Sequence, residues 1–370
     1  MKSSCKLSSR GRYLGHILIV SALLCLPALQ PSVAQSCTLQ DLGAFPDSPN
    51  GKSYANAINN RGQVVGYATT AGGGSDAFLF EHGVMIDLGY LDRDSIPGSS
   101  SATAINDLGQ VVGRSSSTTG NHAFLYKDGV MTDLGTLGQF SGASSMATGI
   151  NNRGQVVGVS DTADRFQHAV LVKDGVMSDL GTLPGGNYSY ANAINDRGQI
   201  VGWSDTTGGQ AHAFSFEKGV MTDLGILPDG NYSEALAIND RGQVVGRSGT
   251  ASATHAFLFD YGVMTDLGTL GGTQSYGRAI NNHGQVVGDS ETPALEDHAV
   301  LFDHQGKVDL CTLPGGIYSL AKGINDRGQI VGASVNAGEN PHAFLCTPKH
   351  REDHRDRDRD KENDREGQRN

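Results

Sequence analysis

Three sets of side chains have types and spacings that could support chemistry. A histidine opens a recurring phrase at His122, His168, His212, His255, His298 and His342, with Asp76 in the equivalent place. Imidazole nitrogen suits zinc, but only where several ligands converge at about 2 Å on one ion. Glu234, Arg278 and Lys322 are charged departures from a repeated stretch that otherwise carries small or neutral residues. A carboxyl group beside two cations could act on a polysaccharide by acid–base chemistry. Cys37, Cys311 and Cys346 are the third set. No nucleophile elbow of the type Gly-x-Ser-x-Gly, phosphate-cradling Gly-x-x-x-x-Gly-Lys, His-Glu-x-x-His or Cys-x-x-Cys occurs. Acidic loops with dense calcium spacing are also missing; Asp92 and Asp94 come nearest.

The elements that must position these residues follow from internal repetition. An Ile-Asn step begins at Ile58, Ile105, Ile150, Ile194, Ile238, Ile280 and Ile324, spaced by 42 to 47 residues. Each copy continues into a Gln-Val-Val-Gly or similar phrase, then His-Ala-Phe or a variant. Asp-Leu-Gly stands at Asp41, Asp87, Asp133, Asp179, Asp223 and Asp266, and as Asp-Leu-Cys at Asp309. Each unit holds four strand-sized stretches, in the fourth unit 190–195, 199–204, 212–216 and 220–224. Units of this length with four strands fit the blades of a β-propeller. The fold class expected is therefore all-β, a seven-bladed propeller of four-stranded blades.

Two connections per unit are short and end in Gly, as at 196–198 and 127–129, and both read as three-residue hairpin loops closed by a glycine bulge. The crossing between blades then uses the longer stretch 181–188, which makes the Ile-Asn strand innermost. That strand reads Ser-x-Ala-x-Ala, with small side chains where blades converge. The histidines fall on the third strand, one per blade and a whole blade apart, so they are expected to pack or hydrogen-bond rather than share a metal. The repeated asparagines are read as turn formers.

The first Asp-Leu-Gly precedes the first Ile-Asn, and the last His-Ala-Phe has none after it. The segment at Cys37 thus completes the seventh blade from outside and closes the ring. Cys37 and Cys346 then meet where intact units have the outer hairpin, and a disulfide replaces the missing turn. In the chain-entropy model so long a closed loop contributes at most about 5 kcal/mol. Cys311 is expected to be an unpaired core thiol. A solenoid, the rival fold, would leave Cys37 and Cys346 far apart.

His-Ala-Phe-Leu-Phe, Gly-Val-Met-x-Asp-Leu-Gly and Ala-Ile-Asn-x-x-Gly-Gln-Val-Val-Gly, recurring in one order over residues 37–346, resemble the HAF-repeat family of extracellular bacterial proteins. The resemblance implies export and repeat architecture and brings no activity or ligand. Asp76, Val170, Val300 and Cys311 depart from its phrases.

Lys2, Lys6, Arg10 and Arg12 precede an apolar run from Leu14 to Leu29, and Ser32 and Ala34 supply small residues for cleavage after Ala34. Residues 1–34 read as a secretory signal peptide, 35–346 as the propeller and 347–370 as a disordered charged tail. The central body carries 16 basic and 31 acidic residues. This charge argues against nucleic acid and anionic membranes as partners. A secreted or periplasmic monomer without cofactor or membrane insertion is expected.

Longer loops emerge on one face and short hairpins on the other, so ligand contact is expected on the long-loop face. It carries Asn187, Tyr188, Asn231, Tyr232, Tyr318 and Phe140, with Trp203 nearby. Rings beside amides suit stacking on sugars or anchoring a protein; the same tyrosines could instead wedge between blades. The reading favoured is a non-catalytic module for extracellular glycan or protein. The alternative is a polysaccharide hydrolase or lyase using Glu234, Arg278 and Lys322 at the axis.

Overall fold

A computed structural model describes residues 37–348 apart from 49, 94–97, 304–305 and 336–339. The segment expected to be a signal peptide, Asp94 and the residues beyond 348 lie outside the described residues. Seven four-stranded antiparallel sheets form a seven-bladed β-propeller, without helices among the described residues. In blade four the strands run from the axis outward as Ser189–Ile194, Ile200–Asp205, Ala211–Glu217 and Val220–Asp223. Inner strands of successive blades neighbour one another around the ring, Ser319–Ile324 next to Ser53–Ile58.

Each inner strand has a bulge before its last two residues, between Ala191 and Ala193 in blade four. The bulge brings the Tyr190 carbonyl so close to Gly202 that a Cβ there would overlap it. This accounts for the Gly of Gln-Val-Val-Gly in every blade. The Val pair and the Phe of His-Ala-Phe fill the space between blades: Val201 and Phe214 are fully buried, and Val300 fills the Phe position in blade six equally well.

The inner hairpin has the expected form. Asn195 receives the Gly198 N–H at 3.0 Å, and only Gly198 of the loop has positive φ, at 85°. The outer hairpin differs from expectation. Lys127 pairs directly with Val130, leaving a two-residue loop with positive φ at both Asp128 and Gly129. Two left-handed residues give the turn a twist that matches its strands, which a longer loop ending in Gly does not need to do.

The Asn of the Ile-Asn step does more than form a turn. Asn195 is 4 % exposed. Its Oδ1 accepts the N–H groups of Arg197 and Gln199 at 3.1 and 2.9 Å, while Nδ2 donates to Gln199 Oε1 at 2.8 Å and to the Asn239 carbonyl of the next blade at 3.0 Å. The pattern continues around all seven blades, and Asn325 closes it on the Asn59 carbonyl at 3.0 Å. Buried serines add a second lock: Ser189 Oγ accepts the Ala169 N–H at 2.8 Å and donates to the Gly181 carbonyl at 2.5 Å, both in blade three's part of the chain.

The seventh sheet consists of Ser319–Ile324, Ile330–Val335 and Pro341–Pro348, with Cys37–Asp41 added as outer strand. The chain's final strand thus reaches Pro348, past the boundary expected at 346. Cys37 and Cys346 are disulfide-bonded, their Cα atoms 5.5 Å apart. They pair diagonally, since Leu39 is the residue opposite Cys346. Cys311 is not a core thiol: it is exposed, with φ 63°. It occupies the Gly of Asp-Leu-Gly, where an added Cβ meets open space in blades two to four and seven.

Asn195→Ala leaves the Arg197 and Gln199 N–H groups and the Asn239 carbonyl of the next blade without their partner, and is expected to lower stability by about 3 kcal/mol, read from a urea unfolding curve. The Cys37→Ser, Cys346→Ser double variant should unfold at a markedly lower temperature than the oxidised wild type and match the reduced wild type. Equal melting of oxidised and reduced wild type would contradict a role for this bond in ring closure.

Candidate functional site at the axial mouth of the long-loop face

The fourth residue of each inner strand, at the bulge, lies at the axis. In blades one to four it is Asn56, Thr103, Thr148 or Asn192, and each donates to a carbonyl of the next blade at 2.7 to 2.8 Å. Blades five to seven place Leu236, Arg278 and Lys322 there. The uniform ring is thereby replaced over three adjacent blades by residues with other partners.

Arg278 turns to Asp289 on the second strand of its own blade, through Nε and through Nη2 at 3.3 Å. Asp289 is 4 % exposed. Glu234 pairs with Arg247, whose Nε and Nη2 lie 2.8 and 2.7 Å from Oε2, and accepts from Asn192 at 3.2 Å. Tyr276 links the two pairs, with the Arg247 and Arg278 guanidinium groups 5.5 and 5.2 Å from its ring centre. Lys322 is half-buried and makes no hydrogen bond or ion pair with a described residue. Burial and the nearby Arg278 lower its pKa, against the opposing pull of Asp289. Tyr318 belongs to the same cluster, its pKa raised by burial and then by Asp289.

Glu234, Arg278, Lys322 and Tyr318 are thus brought into one charged arc. Arg247 and Asp289 complete it and were missed by sequence reasoning. Both are fourth residues of a second strand, directly opposite Glu234 and Tyr276. The signal was there in the variable residue after Val-Val-Gly, read against the hairpin register.

Aromatic pairs occupy the same cross-strand position in two other blades. Tyr190 stacks on Trp203 with centroids 4.7 Å apart and planes 13° from parallel, and Tyr54 on Tyr67 at 4.9 Å and 17°. All four rings are half-buried. Tyr67 also borders a cleft of about 260 Å³ shared with Ser99, Ser101, Arg114 and Asn121.

The remaining predicted residues do not join this mouth. The N–H groups of Asn187 and Tyr188 are held by Asp205 Oδ1 at 2.8 and 2.7 Å, and Tyr188 meets Phe166 edge-on at 5.5 Å. Tyr232 lies against Gly249 and hydrogen-bonds Thr254 at 2.5 Å, a wedge at the blade surface, with Asn231 beside it. Phe140 is covered by the Arg165 guanidinium at 4.6 Å. Asp92 binds Thr118 through its backbone N–H and hydroxyl at 2.8 and 3.0 Å, a tether between loops. The histidines hydrogen-bond as expected: His168 Nδ1 lies 2.8 Å from Asp179, and His342 reaches Asp41 across the ring closure at 2.8 Å. Among the described residues no three acidic, histidine or cysteine side chains gather as a metal site.

At the opposite end of the axis Asn60, Asp107, Asn152, Asp196, Asp240, Asn282 and Asp326 line a space of about 180 Å³. Each accepts through its side chain the backbone N–H of its neighbour, at 2.7 to 2.9 Å. This end is a girdle of structural bonds.

Replacing Lys322 by Met should raise stability at neutral pH, because a lowered amine pKa means that the folded state binds the proton less well than the unfolded chain. The gain should shrink as pH rises toward 10.5, the ordinary value for lysine, where the unfolded amine also loses its proton. Asp289→Ala leaves Arg278 half-buried without its partner and should cost about 3 kcal/mol. Thermal and urea unfolding from pH 6 to 10 measure both.

No family model matches the chain, and no curated protein matches it in sequence. Among solved structures it is similar to a puromycin-hydrolyzing peptidase of Mycobacterium tuberculosis, with 12% identity, a TM-score of 0.53, and coverage of 81% of this chain and 50% of that one. It is similar to TolB from Acinetobacter baumannii at 12% identity and TM-score 0.44, covering 65% of this chain and 64% of that one. The Aleuria aurantia lectin in complex with alpha-methyl-L-fucoside aligns at 12% identity and TM-score 0.39, over 71% of this chain and 96% of that one. The chain spans half of the peptidase and just under two thirds of TolB. At 12% identity the likeness to the peptidase is one of fold alone.

Proposed function

We infer that the protein is an exported, non-catalytic binding propeller that takes an extracellular glycan at the axial mouth of its long-loop face. The carrying observation is the pair of aromatic stacks, Tyr190 with Trp203 and Tyr54 with Tyr67, half-open beside amide, hydroxyl and guanidinium donors. Sugars present apolar C–H faces edged by hydroxyls, and a ring flanked by directional donors complements both. Tyr67 with Ser99, Ser101, Arg114 and Asn121 supplies that combination in one cleft. Export is supported by the 1–34 segment and by the Cys37–Cys346 bond, which persists in oxidising compartments.

The carboxylates of the mouth favour binding over acid catalysis there. Glu234 is held by Arg247 and Asn192, and Asp289 by Arg278. A glycosidase needs two carboxyl groups free to face the scissile bond, and both of these are engaged by guanidinium groups of their own blades.

Binding of the mature body to a panel of soluble glycans and polymers tests this reading. Trp203→Ala and Tyr67→Ala should each weaken the best binder by about thirtyfold, corresponding to about 2 kcal/mol, with melting temperature as folding control. Turnover of a polymer by wild type, lost in the Glu234, Arg278, Lys322 triple alanine variant, would establish the hydrolase or lyase instead.

A further inference from the structure

Six blades close their outer edge with one arrangement. The histidine Nδ1 lies 2.7 to 2.8 Å from an oxygen of the Asp-Leu-Gly aspartate. That aspartate also accepts the N–H two residues on, as Asp179 does from Gly181 at 2.7 Å. In blade one Asp76 replaces the histidine. Asp87 keeps its bond from Gly89 at 2.7 Å and receives Arg93 at 3.2 Å. Asp76 is only 3 % exposed, and its carboxylate has no hydrogen-bond or ion-pair partner among the described residues. Ala68 stands opposite it, where the six other blades have a serine.

The carboxylate of Asp76 borders a cleft of about 960 Å³ on the long-loop face. Asp47, Asp87, Arg93, Tyr90 and Phe45 share its wall, which therefore carries three carboxylates against one guanidinium. A buried carboxylate without a partner is costly, and a ligand that supplies a cation removes that cost. In blade one Arg93 takes the place at Asp87 that the histidine holds elsewhere, which leaves Asp76 facing the cleft without a cation of its own. A divalent ion fits less well. Calcium takes six to eight oxygens, the two oxygens of Asp87 are already engaged, and no three ligating side chains gather here among the described residues.

We propose that this cleft binds a small organic cation, a ligand whose primary ammonium group rests on the Asp76 carboxylate. The site lies in blade one and stands independently of glycan binding at the axial mouth. Burial, then the nearby Asp87, push the Asp76 pKa up to about 6, with Arg93 opposing. The charged and titratable groups facing Asp76 are Asp87 on the outer strand, Arg93 and Tyr90 on the following loop, and Asp47 after the first strand. Below about pH 6 the carboxyl group is neutral and its attraction for an ammonium group is lost.

Isothermal titration of the mature body with glucosamine and with cadaverine tests the site, with glucose and calcium chloride as controls. At least one ammonium probe should bind at pH 7.5 and about tenfold more weakly at pH 5, where about a tenth of Asp76 is ionised. Asp76→Asn and Asp76→His should each fold and lose that binding more than tenfold, the second by restoring the pair of the other blades. Trp203→Ala should leave it unchanged. Unfolding without ligand gives a second readout: the raised pKa means that wild type loses stability as pH rises from 4 through 6, and Asp76→Asn should lack that slope. Failure of both ammonium probes to bind, equal affinity for glucose, or full binding by Asp76→Asn would overturn the proposal.

Discussion

The ring depends on seven buried asparagine side chains. A primary amide offers two donors and two acceptor positions in one plane, and Asn195 uses all four, three within its own hairpin and one on the next blade. Aspartate has the same shape but no donor when ionised, and would set its charge against the Gln199 oxygen and the Asn239 carbonyl. Each turn can therefore be satisfied only if the next blade is in place. A buried polar network with every member satisfied specifies one arrangement, and here that arrangement is a closed circle from Asn59 to Asn325 and back.

Because the same bonds recur, their residues have little freedom to take on another role. Chemistry concentrates where a blade departs from the pattern without breaking the amide circle. At the axis, four blades use Asn or Thr to grip the next blade, and three substitute Leu236, Arg278 and Lys322, which frees the mouth to carry a charged arc. At the outer edge, six blades use His and Asp, and blade one leaves a buried carboxylate facing an open cleft. At the seam, a disulfide stands where a turn would otherwise join the strands, and the His342–Asp41 contact repeats the pair of the other blades. The long-loop face gathers the first two because its loops vary in length and composition, whereas the opposite face is fastened by a girdle of Asn and Asp side chains.

Much of this is legible in the residues because propeller blades are built from local hairpins. Spacing of Ile58 to Ile324 counts the blades, the small residues of Ser189, Ala191 and Ala193 mark the inner strand, and the displaced Asp41 shows how the ring closes. Local reading fails where the same residue type serves two geometries. Gly129 ends a two-residue turn and Gly198 a three-residue loop, and only the pairing of Lys127 with Val130 separates them. Cys311 is expected to be a core thiol, yet the left-handed turn position it inherits from the glycine leaves it exposed.

What the sequence by itself determined is the number of blades, the order of their strands and the disulfide at the seam, since each follows from periodicity and from counting phrases at the two ends. Only the tertiary structure decided which side chains meet across strands and blades. Arg247 with Glu234, Asp289 with Arg278, and the empty flank of Asp76 depend on register and on curvature around the axis. The two ion pairs join residues 11 and 13 positions apart within a blade, and the variable residue after Val-Val-Gly becomes informative only once the hairpin register is known.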